Sequence, residues 1–522
     1  MAILAALGSF VTVIALFALY IWSNDKKMKA PPPNNLGSKA WSNKLIHDTY
    51  ERVSTNPRLL EGRLQPKTRR RYIVVGGAGF VGGWLVLQLL ERGEDPRRIR
   101  IVDIRPPTRK DLKEVASSVD FAQADITDLD ALLKAFQKPW SFSTSPGEPE
   151  PKLTIFHTAA IIRFFERHPS LLSLSDKINL EGTTNVINAA KEVGASTLVY
   201  TSSGSVAVRR SSFWLWPWQS EPKYFMQVLN DDDGILPKKH EEFFSNYAVS
   251  KLRAERVVRG ADGSKSGNGV LRTGCVRPGN GIFGPGGDIL VDRLLREKVN
   301  PTWVPTVMQS FSYVENCTLA HLCYERRLNE LQEGSKNPDI GGQAFNITDA
   351  GPTPTYGDIY TAVNILSKGA ATFIYLSPTF IMSIAHLVEW YYVARHLLVQ
   401  SSLSFLGKLF PAIRGDVIFL QPSMFSLTNV HLIFDDSRAR SPPEKGGLGY
   451  NPPCTTLEGV CKVILEYEKS GGEVVDRAVA GHPEPTTLIF DPTMSEKGVV
   501  EVVEAVEKIS NGLKVDPTKA WN

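Results

Sequence analysis

The chain contains 522 residues, of which 42% are hydrophobic and 22% are charged. A chain of this length buries a large core and is expected to hold more than one folding unit. The formal net charge is only +4 and the basic residues are scattered, so a nucleic-acid partner is not indicated. The five cysteines include no Cys-x-x-Cys pair and the nine histidines no His-x-x-x-His pair, so neither a disulfide framework nor a metal site is predicted.

The N-terminal segment predicts a membrane anchor. Residues 2–22 carry no charged side chain, and a helix of about 20 apolar residues crosses a bilayer core. Tyr20 and Trp22 stand where aromatic side chains favour the lipid–water interface. The alternative is a cleaved secretory peptide, but no basic residue precedes the apolar stretch. We predict a single-pass anchor over residues 1–24, and the lysines that follow it place the rest of the chain in the cytosol.

Residues 25–71 are predicted to form a linker. The stretch 31–37 is rich in proline and is typical of a spacer. We expect this spacer to lift the folded part of the chain off the membrane.

The next predicted elements are a buried strand at residues 72–75, a glycine-rich turn and a helix. Gly76, Gly79 and Gly82 are spaced three apart, and the helix carries apolar residues from position 84 onward. Glycines allow the chain to turn sharply and allow a pyrophosphate to approach the helix N-terminus, where free N–H groups favour an anion. The turn therefore predicts a dinucleotide site.

A second strand is predicted at residues 99–104, with Asp103 near its end. A carboxylate in this position binds the ribose hydroxyls of NAD and repels the 2′-phosphate of NADP. The sequence therefore favours NAD, although the nearby Arg105 leaves NADP open.

Tyr247 and Lys251 form the most informative pair further along the chain. Residues four apart lie on one face of a helix, and a lysine ammonium beside a phenol favours the phenolate. Such a phenolate is a usable proton acceptor, although its free pKa is about 10. The spacing alone also occurs on ordinary solvated helices, so it gains meaning only from the glycine turn before it.

Together the glycine spacing and Tyr-x-x-x-Lys resemble the short-chain dehydrogenase/reductase superfamily in its extended form. The resemblance extends from about residue 72 to about residue 467, and further segments match at residues 121–128, 157–160, 179–183, 198–206 and 277–286. It implies that Ser203, which lies three positions before Val206, holds the substrate oxygen. It also implies that Tyr247 accepts the hydroxyl proton and that Lys251 lowers the tyrosine pKa and binds the nicotinamide ribose.

The resemblance also assigns cofactor contacts beyond the three glycines and Asp103. Asp125 and Ile126 are expected beside the adenine, and Pro278 beside the nicotinamide. The other expected contacts are Phe80 and Val81 in the glycine turn, Ala159 after the fourth strand, and Tyr247 and Lys251 themselves.

Within the superfamily the chain resembles the 3β-hydroxysteroid dehydrogenase branch, which includes sterol-4α-carboxylate 3-dehydrogenases. The residues that support this are 342–349, 436–440 and 448–452. The chain departs from the pattern at Val75, where the family often has threonine, and in the long insertion 209–242. These departures bear on the substrate more than on the chemistry.

These features predict an α/β fold: a Rossmann-type doubly wound parallel sheet with a smaller C-terminal substrate domain and an N-terminal transmembrane helix. We place the NAD-binding domain at residues 72–285, the substrate-binding region at 286–480 and a tail at 481–522.

Two segments suggest further contact with a membrane. Residues 373–409 are apolar but are interrupted by charged residues such as Glu389, so either an interfacial helix or a buried helix fits. The cluster 213–218 holds three tryptophans, which suit a lipid headgroup region, a sterol pocket or a local core.

The leading functional hypothesis is oxidation of the 3β-hydroxyl of a sterol, with a 4α-carboxylate then lost as carbon dioxide. The alternatives are a 3-hydroxy/3-keto steroid or triterpenoid oxidoreductase without decarboxylation, and a nucleotide-binding interaction protein without catalysis. We expect the endoplasmic reticulum membrane as the location. Expected partners are other sterol-demethylation enzymes and a second copy of the chain.

Overall fold

The computed structural model describes residues 2–31, 39–57, 60, 62–142, 149–402, 404–413 and 415–472. The predicted tail at 481–522 lies outside the described residues.

Fourteen strands are present in the described part of the chain. In chain order they are β1 (Arg71–Val75), β2 (Ile99–Asp103), β3 (Asp120–Gln123), β4 (Leu153–His157), β5 (Thr197–Thr201), β6 (Met226–Leu229), β7 (Ser264–Ser266), β8 (Gly269–Pro278), β9 (Ile282–Phe283), β10 (Val299–Thr302), β11 (Ser312–Tyr313), β12 (Ala344–Ile347), β13 (Thr372–Tyr375) and β14 (His431–Phe434).

The α-helices of the described residues are α1 (Ala2–Met28), α2 (Asn43–Thr55), α3 (Phe80–Glu91), α4 (Lys110–Ala116), α5 (Leu129–Gln137), α6 (Leu172–Asp176), α7 (Thr183–Glu192), α8 (Asn246–Gly260), α9 (Val291–Arg296), α10 (Val314–Gln332), α11 (Tyr356–Leu366), α12 (Pro378–Gln400), α13 (Ser404–Leu409), α14 (Pro422–Thr428), α15 (Ser437–Arg440) and α16 (Thr456–Lys469). A π-helical segment, Lys177–Gly182, joins α6 to α7.

The main sheet has the order β12-β8-β5-β4-β1-β2-β3, and all neighbours in it are parallel. Strand β7 adds to β8 as an antiparallel hairpin. The chain order reverses between β1 and β4, which is the switch point where doubly wound sheets bind their ligands. The predicted Rossmann-type fold is confirmed.

Strand β1 shows why the sheet is covered on both faces. Tyr72 and Val74 belong to a core cluster with α3 and α10, whereas Ile73 and Val75 belong to a second cluster with α5, α7 and α8. Successive side chains of a strand point to opposite faces, so a strand buried on both sides must be apolar throughout.

The insertion 209–242 is attached to the C-terminal region by a strand pair. Strand β6, within the insertion, runs parallel to β14 in a small sheet of two strands. Phe213 and Leu215 are buried, whereas Trp216 and Trp218 are exposed. Phe213 and other buried side chains of the insertion share one core with α8, α12 and α14, and Trp216 and Trp218 lie outside that core.

The segment that we predicted to be a linker contains packed structure. Helix α2 buries Ile46 and Val53 in the same cluster as α11 and α16, and Arg52 forms an ion pair with Glu458 at 2.6 Å. This part of the segment is folded against the substrate-binding region, because its apolar face finds a partner that the local sequence does not reveal.

Helix α1 also differs from the expected tether. Gly8–Met28 is long and apolar enough to cross a membrane, judged by length and composition, and it is the one such helix among the described residues. Its last residues are nevertheless packed on the body of the protein, since Asn24 and Met28 are buried. The domain therefore sits directly on the end of the helix and is not held away from it.

Candidate active site

The glycine turn between β1 and α3 accepts no larger residue at two positions. Gly76 has a φ of +82°, and a Cβ on it would lie 2.6 Å from the backbone nitrogen of Ala159. A Cβ on Gly82 would lie 2.2 Å from the carbonyl oxygen of Gly76. Gly79 precedes the first residue of α3, so the positive end of the helix dipole points to this bare backbone. The turn is a cradle that fits a dinucleotide pyrophosphate beside Phe80 and Val81.

Asp103 lies at the end of β2, beside this turn. The backbone N–H groups of Ala78 and Ile104 donate to its two carboxylate oxygens, at 3.1 Å and 2.8 Å. Burial raises the pKa of Asp103, and the backbone donors act in the opposite direction. The carboxylate is thus oriented by the turn itself, in the position that suits ribose hydroxyls.

The other expected cofactor residues surround the same edge of the sheet. Ala159 follows β4 and donates its N–H to the carbonyl of Val75 at 3.2 Å, which ties the two strand ends together. Ile126 is buried, whereas Asp125 is exposed and accepts the N–H of Thr127 at 2.9 Å. Pro278 is the last residue of β8. The residues present therefore fit a dinucleotide laid across the carboxyl ends of the strands.

Tyr247 and Lys251 are placed by the start of helix α8. Ser245 caps this helix by accepting the N–H of Ala248 at 3.3 Å, so Tyr247 lies in the first turn and Lys251 one turn later. Lys251 is 1% exposed, and its Nζ donates to the carbonyl of Thr201 at 2.7 Å. The same ammonium lies 4.1 Å from the centre of the Tyr200 ring. Strand β5 and helix α8 thus hold the lysine rigidly.

Three serines follow β5, and the structure gives each a different environment. Ser202 is buried and donates to Glu255 at 2.6 Å, so its hydroxyl is committed to the protein interior. Ser205 is buried and shares a hydrogen bond of 2.7 Å with Ser203. Ser203 is half-buried, and its hydroxyl is the group that acts to lower the pKa of the Tyr247 phenol. This arrangement supports the choice of Ser203 as the partner of Tyr247.

The electrostatics of the pair differ from the sequence-based expectation. Burial raises the pKa of Tyr247 to about 12, and its hydrogen bond with Ser203 acts in the opposite direction. Burial lowers the pKa of Lys251 to about 7, and Cys275 and Glu255 oppose that shift. The ammonium contacts Thr201 and Tyr200, so the hydroxyl of Ser203 is the group seen to favour the phenolate directly.

Two supporting groups were not singled out from the sequence. Glu255 lies one turn beyond Lys251 and forms an ion pair with Arg277 at 2.6 Å, with both side chains fully inaccessible. Asn179 lies in the π-helical segment, accepts the N–H of Ile161 at 2.9 Å and donates to Ser250 at 2.9 Å. A glutamate four residues after a buried lysine, and an asparagine without solvent, were the available signals.

The side of the site opposite the cofactor cradle is apolar. Tyr247 packs against a hydrophobic cluster whose partly buried members include Phe164, Leu420, Met424 and Leu427. The rings of Phe164 and Phe419 stack with their centres 5.7 Å apart. Gly204 follows Ser203 and leaves room for Phe434 of β14, because a Cβ there would lie 2.5 Å from that ring. Tyr247 therefore borders an apolar region.

Comparison with known proteins agrees with this geometry. The model of the 3-beta hydroxysteroid dehydrogenase/isomerase family matches residues 73–368, which is more than half of the chain. The 3beta-hydroxysteroid-dehydrogenase/decarboxylase isoform 2 of Arabidopsis thaliana is 29% identical over 449 residues, which cover 81% of this chain and 68% of the relative. Isoform 1 of the same plant is 28% identical over 416 residues, which cover 77% of this chain and 80% of the relative.

The crystal structure of gox2253 is similar in fold, with a TM-score of 0.50 and 20% identity over 77% of this chain and 99% of that chain. The family match confirms the resemblance that the motifs indicated. The chain belongs to the 3-beta hydroxysteroid dehydrogenase/isomerase family and is an NAD(P)-dependent dehydrogenase.

Proposed function

We propose that the protein oxidises the 3β-hydroxyl group of a 4α-carboxysterol, which then loses its carboxylate as carbon dioxide. The observation that carries this proposal is the placement of Tyr247. The hydroxyl of Ser203 acts to lower the pKa of its phenol, and its ring packs on the same apolar cluster as Phe164. A secondary alcohol on a large hydrocarbon skeleton suits such a site, because the skeleton is desolvated while the hydroxyl meets two polar partners.

The glycine turn and Asp103 would hold NAD, which would supply the hydride acceptor when bound. Ser203 binds the substrate oxygen and stabilises the charge that develops on it. Tyr247 accepts the hydroxyl proton at its phenolic oxygen. Lys251, fixed by Thr201, supports the phenolate through its positive charge and contributes to cofactor binding.

A 4α-carboxylate makes the product of this oxidation unstable. The new C3 ketone and the carboxylate on C4 form a β-keto acid. When the bond between C4 and the carboxylate breaks, its electron pair moves toward C4 and the ketone oxygen, and the resulting enolate takes up a proton. The names of the two Arabidopsis relatives, which include a decarboxylase activity, support this substrate.

We also propose NAD as the preferred cofactor and the cytosolic face of the endoplasmic reticulum as the location. The carboxylate of Asp103 supports NAD, because it repels a 2′-phosphate. Helix α1 supports an anchor, and Lys26 and Lys27 at its end support a cytosolic catalytic domain. Resistance of the full-length protein to extraction from membranes by alkaline carbonate tests the anchor.

An alternative is oxidation or reduction at C3 of a steroid or triterpenoid that carries no carboxylate. The apolar character of the site favours this class as much as it favours a carboxysterol. The two reactions differ only in whether a carboxylate on C4 is present and is lost as carbon dioxide.

The deciding experiment gives purified full-length protein in vesicles NAD and either a 4α-carboxysterol or the matched 3β-hydroxysterol without the carboxylate. We expect NADH absorbance with the first substrate, and a product mass lower by carbon dioxide and two hydrogens. Tyr247→Phe is the control for enzyme-dependent turnover. Turnover of the plain sterol alone, with none of the carboxysterol, would overturn the proposal.

A further inference from the structure

Four large apolar side chains are exposed beside the end of helix α1. Trp216 is 63% exposed, Trp218 77%, Leu387 68% and Trp390 72%. We call these four residues the tryptophan face. Trp216 and Trp218 stack on each other with ring centres 5.2 Å apart, so they form one flat aromatic surface. Exposed apolar patches of this kind mark binding surfaces, and tryptophan in particular favours the lipid interface.

The loop 213–218, which carries Trp216 and Trp218 and which we call the tryptophan loop, is attached directly to the anchor. Asn24 donates to the carbonyl of Phe213 at 2.9 Å, and Lys27 donates to the carbonyls of Trp216 and Pro217 at 3.3 Å and 3.1 Å. The loop therefore lies at the level where α1 leaves its apolar stretch. In a helix that crosses a bilayer, this level is the headgroup region.

Helix α12 turns its polar side chains toward the protein. Glu389 forms two hydrogen bonds of 2.6 Å with Arg167, and Tyr392 donates to Glu166 at 2.6 Å. Glu389, the carboxylate that interrupts the apolar pattern of this helix, is thus paired with the body of the protein, and Arg395 donates to the carbonyl of Phe410 at 2.8 Å. Leu387 and Trp390 remain on the side that faces away from the body.

The contacts between α1 and α12 show which end of α12 is nearer to the membrane. Asn24 donates to Thr379, at the start of α12, at 2.9 Å. Tyr20, one turn earlier in α1, stacks on Trp214, whose Nε1 donates to His386 at 3.1 Å. Residues nearer the apolar part of α1 therefore contact residues nearer the C-terminal end of α12. The exposed residues after His386 thus lie on the side of the bilayer.

We propose that the tryptophan face inserts into the interfacial layer of the same bilayer that α1 crosses. This proposal rests on the anchor in the proposed function. The catalytic domain then lies on the lipid surface in one fixed orientation, with the stacked tryptophans and α12 at headgroup depth.

This orientation brings the substrate side of the site to the membrane. Tyr392 of α12 packs against Phe165, with ring centres 6.3 Å apart, and Phe165 packs against Phe419 at 5.4 Å. Phe419 in turn stacks on Phe164, in the cluster that includes Tyr247. A chain of ring contacts therefore leads from Tyr392 of α12 to Phe164, which packs on the same apolar cluster as Tyr247, and this is the side on which we expect a sterol to enter.

Single cysteines in the full-length protein test the proposal, because all five native cysteines are buried and react little with labels. The variants are Trp218→Cys and Trp390→Cys, with Val270→Cys as the water-exposed control at the amino end of β8. Leu16→Cys, within the apolar part of α1, reports the anchor itself. Each variant carries an environment-sensitive fluorescent maleimide and is reconstituted in phosphatidylcholine vesicles.

We expect lipid-attached nitroxide to cause about a twofold loss of fluorescence at positions 218 and 390, while aqueous iodide quenches only the label at position 270. In one outcome, nitroxide quenches the label at position 16, but iodide quenches the labels at 218 and 390 as strongly as the label at 270. This outcome would overturn the insertion of the tryptophan face and leave the anchor intact. An unquenched label at position 16 would overturn the anchor and this proposal together. If the labels at 218 and 390 were protected from iodide in native membranes but not in pure lipid vesicles, the face would contact a protein partner, and the proposal would also be overturned.

Discussion

The cofactor half and the substrate half of the cleft are built in different ways. The cofactor half comes from consecutive strands between β1 and β4, and its shape depends on backbone contacts that exclude a Cβ at Gly76 and Gly82. The substrate half joins Phe164, Phe419 and Phe434, which are far apart in the chain and meet only through side-chain packing. Backbone contacts admit few residue types, whereas apolar packing admits many, so we expect the first half to fix the cofactor and the second to select the substrate.

Tyr247 touches both halves, and its replacement should have the largest effect. Tyr247→Phe removes the proton acceptor but keeps the ring in the apolar cluster, so we expect kcat/KM to fall by about a hundredfold or more. The dissociation constant of NAD should stay within about twofold of its original value. Steady-state kinetics and NAD titration measure the two, with the exposed Tyr224→Phe as control. Residual turnover above about a tenth would remove Tyr247 from the role of base.

Lys251 lies between the halves, and its charge should make the stability of the fold depend on pH. Its pKa is lowered by burial from 10.5 to about 7, so between these values the unfolded chain binds one more proton than the folded chain. The cost of burying the lysine is therefore full below pH 7, decreases as pH rises and is gone near pH 10.5.

We expect Lys251→Met to raise the free energy of unfolding by about 2 kcal/mol at neutral pH and to have little effect near pH 10.5. Denaturant unfolding at the two pH values measures this difference. The exposed Lys265→Met provides the control. A destabilisation that is equal at both pH values would mean that packing and not charge dominates at this position.

Asp103 belongs only to the cofactor half. We expect Asp103→Asn to lower the preference for NAD over NADP by about tenfold, because the repulsion of the 2′-phosphate is lost. The KM for the sterol should not change. Kinetics with both cofactors test this, with the exposed Asp130→Asn as control, and an unchanged cofactor ratio would assign the discrimination elsewhere.

Phe419 belongs only to the substrate half and should give the smallest effect. We expect Phe419→Ala to raise the KM for the sterol by about fivefold while the KM for NAD is unchanged, since the alanine leaves part of the apolar surface uncovered. Phe405, which is exposed on α13, offers the control Phe405→Ala. If Phe419→Ala and Asp103→Asn each changed both KM values, the two halves would not be separable.

Much of the cofactor half could be predicted from the sequence. The turn at Gly76 and the carboxylate of Asp103 are local, because strand, turn and helix follow each other directly in the chain. The parallel sheet followed from the same reasoning, and the Rossmann-type fold is confirmed. The predicted linker at 25–71 instead contains packed structure, because the apolar face of α2 and the end of α1 are covered by segments more distant in the chain.

The sequence by itself determined the α/β fold and the family, and it indicated the residues that we expect to face the cofactor. These properties depend on short-range spacing, which local sequence encodes. Only the tertiary structure decided that Lys251 contacts Thr201 and that Trp214 of the insertion contacts His386 of α12. Those contacts join segments distant in the chain, and they form only when the whole core has packed.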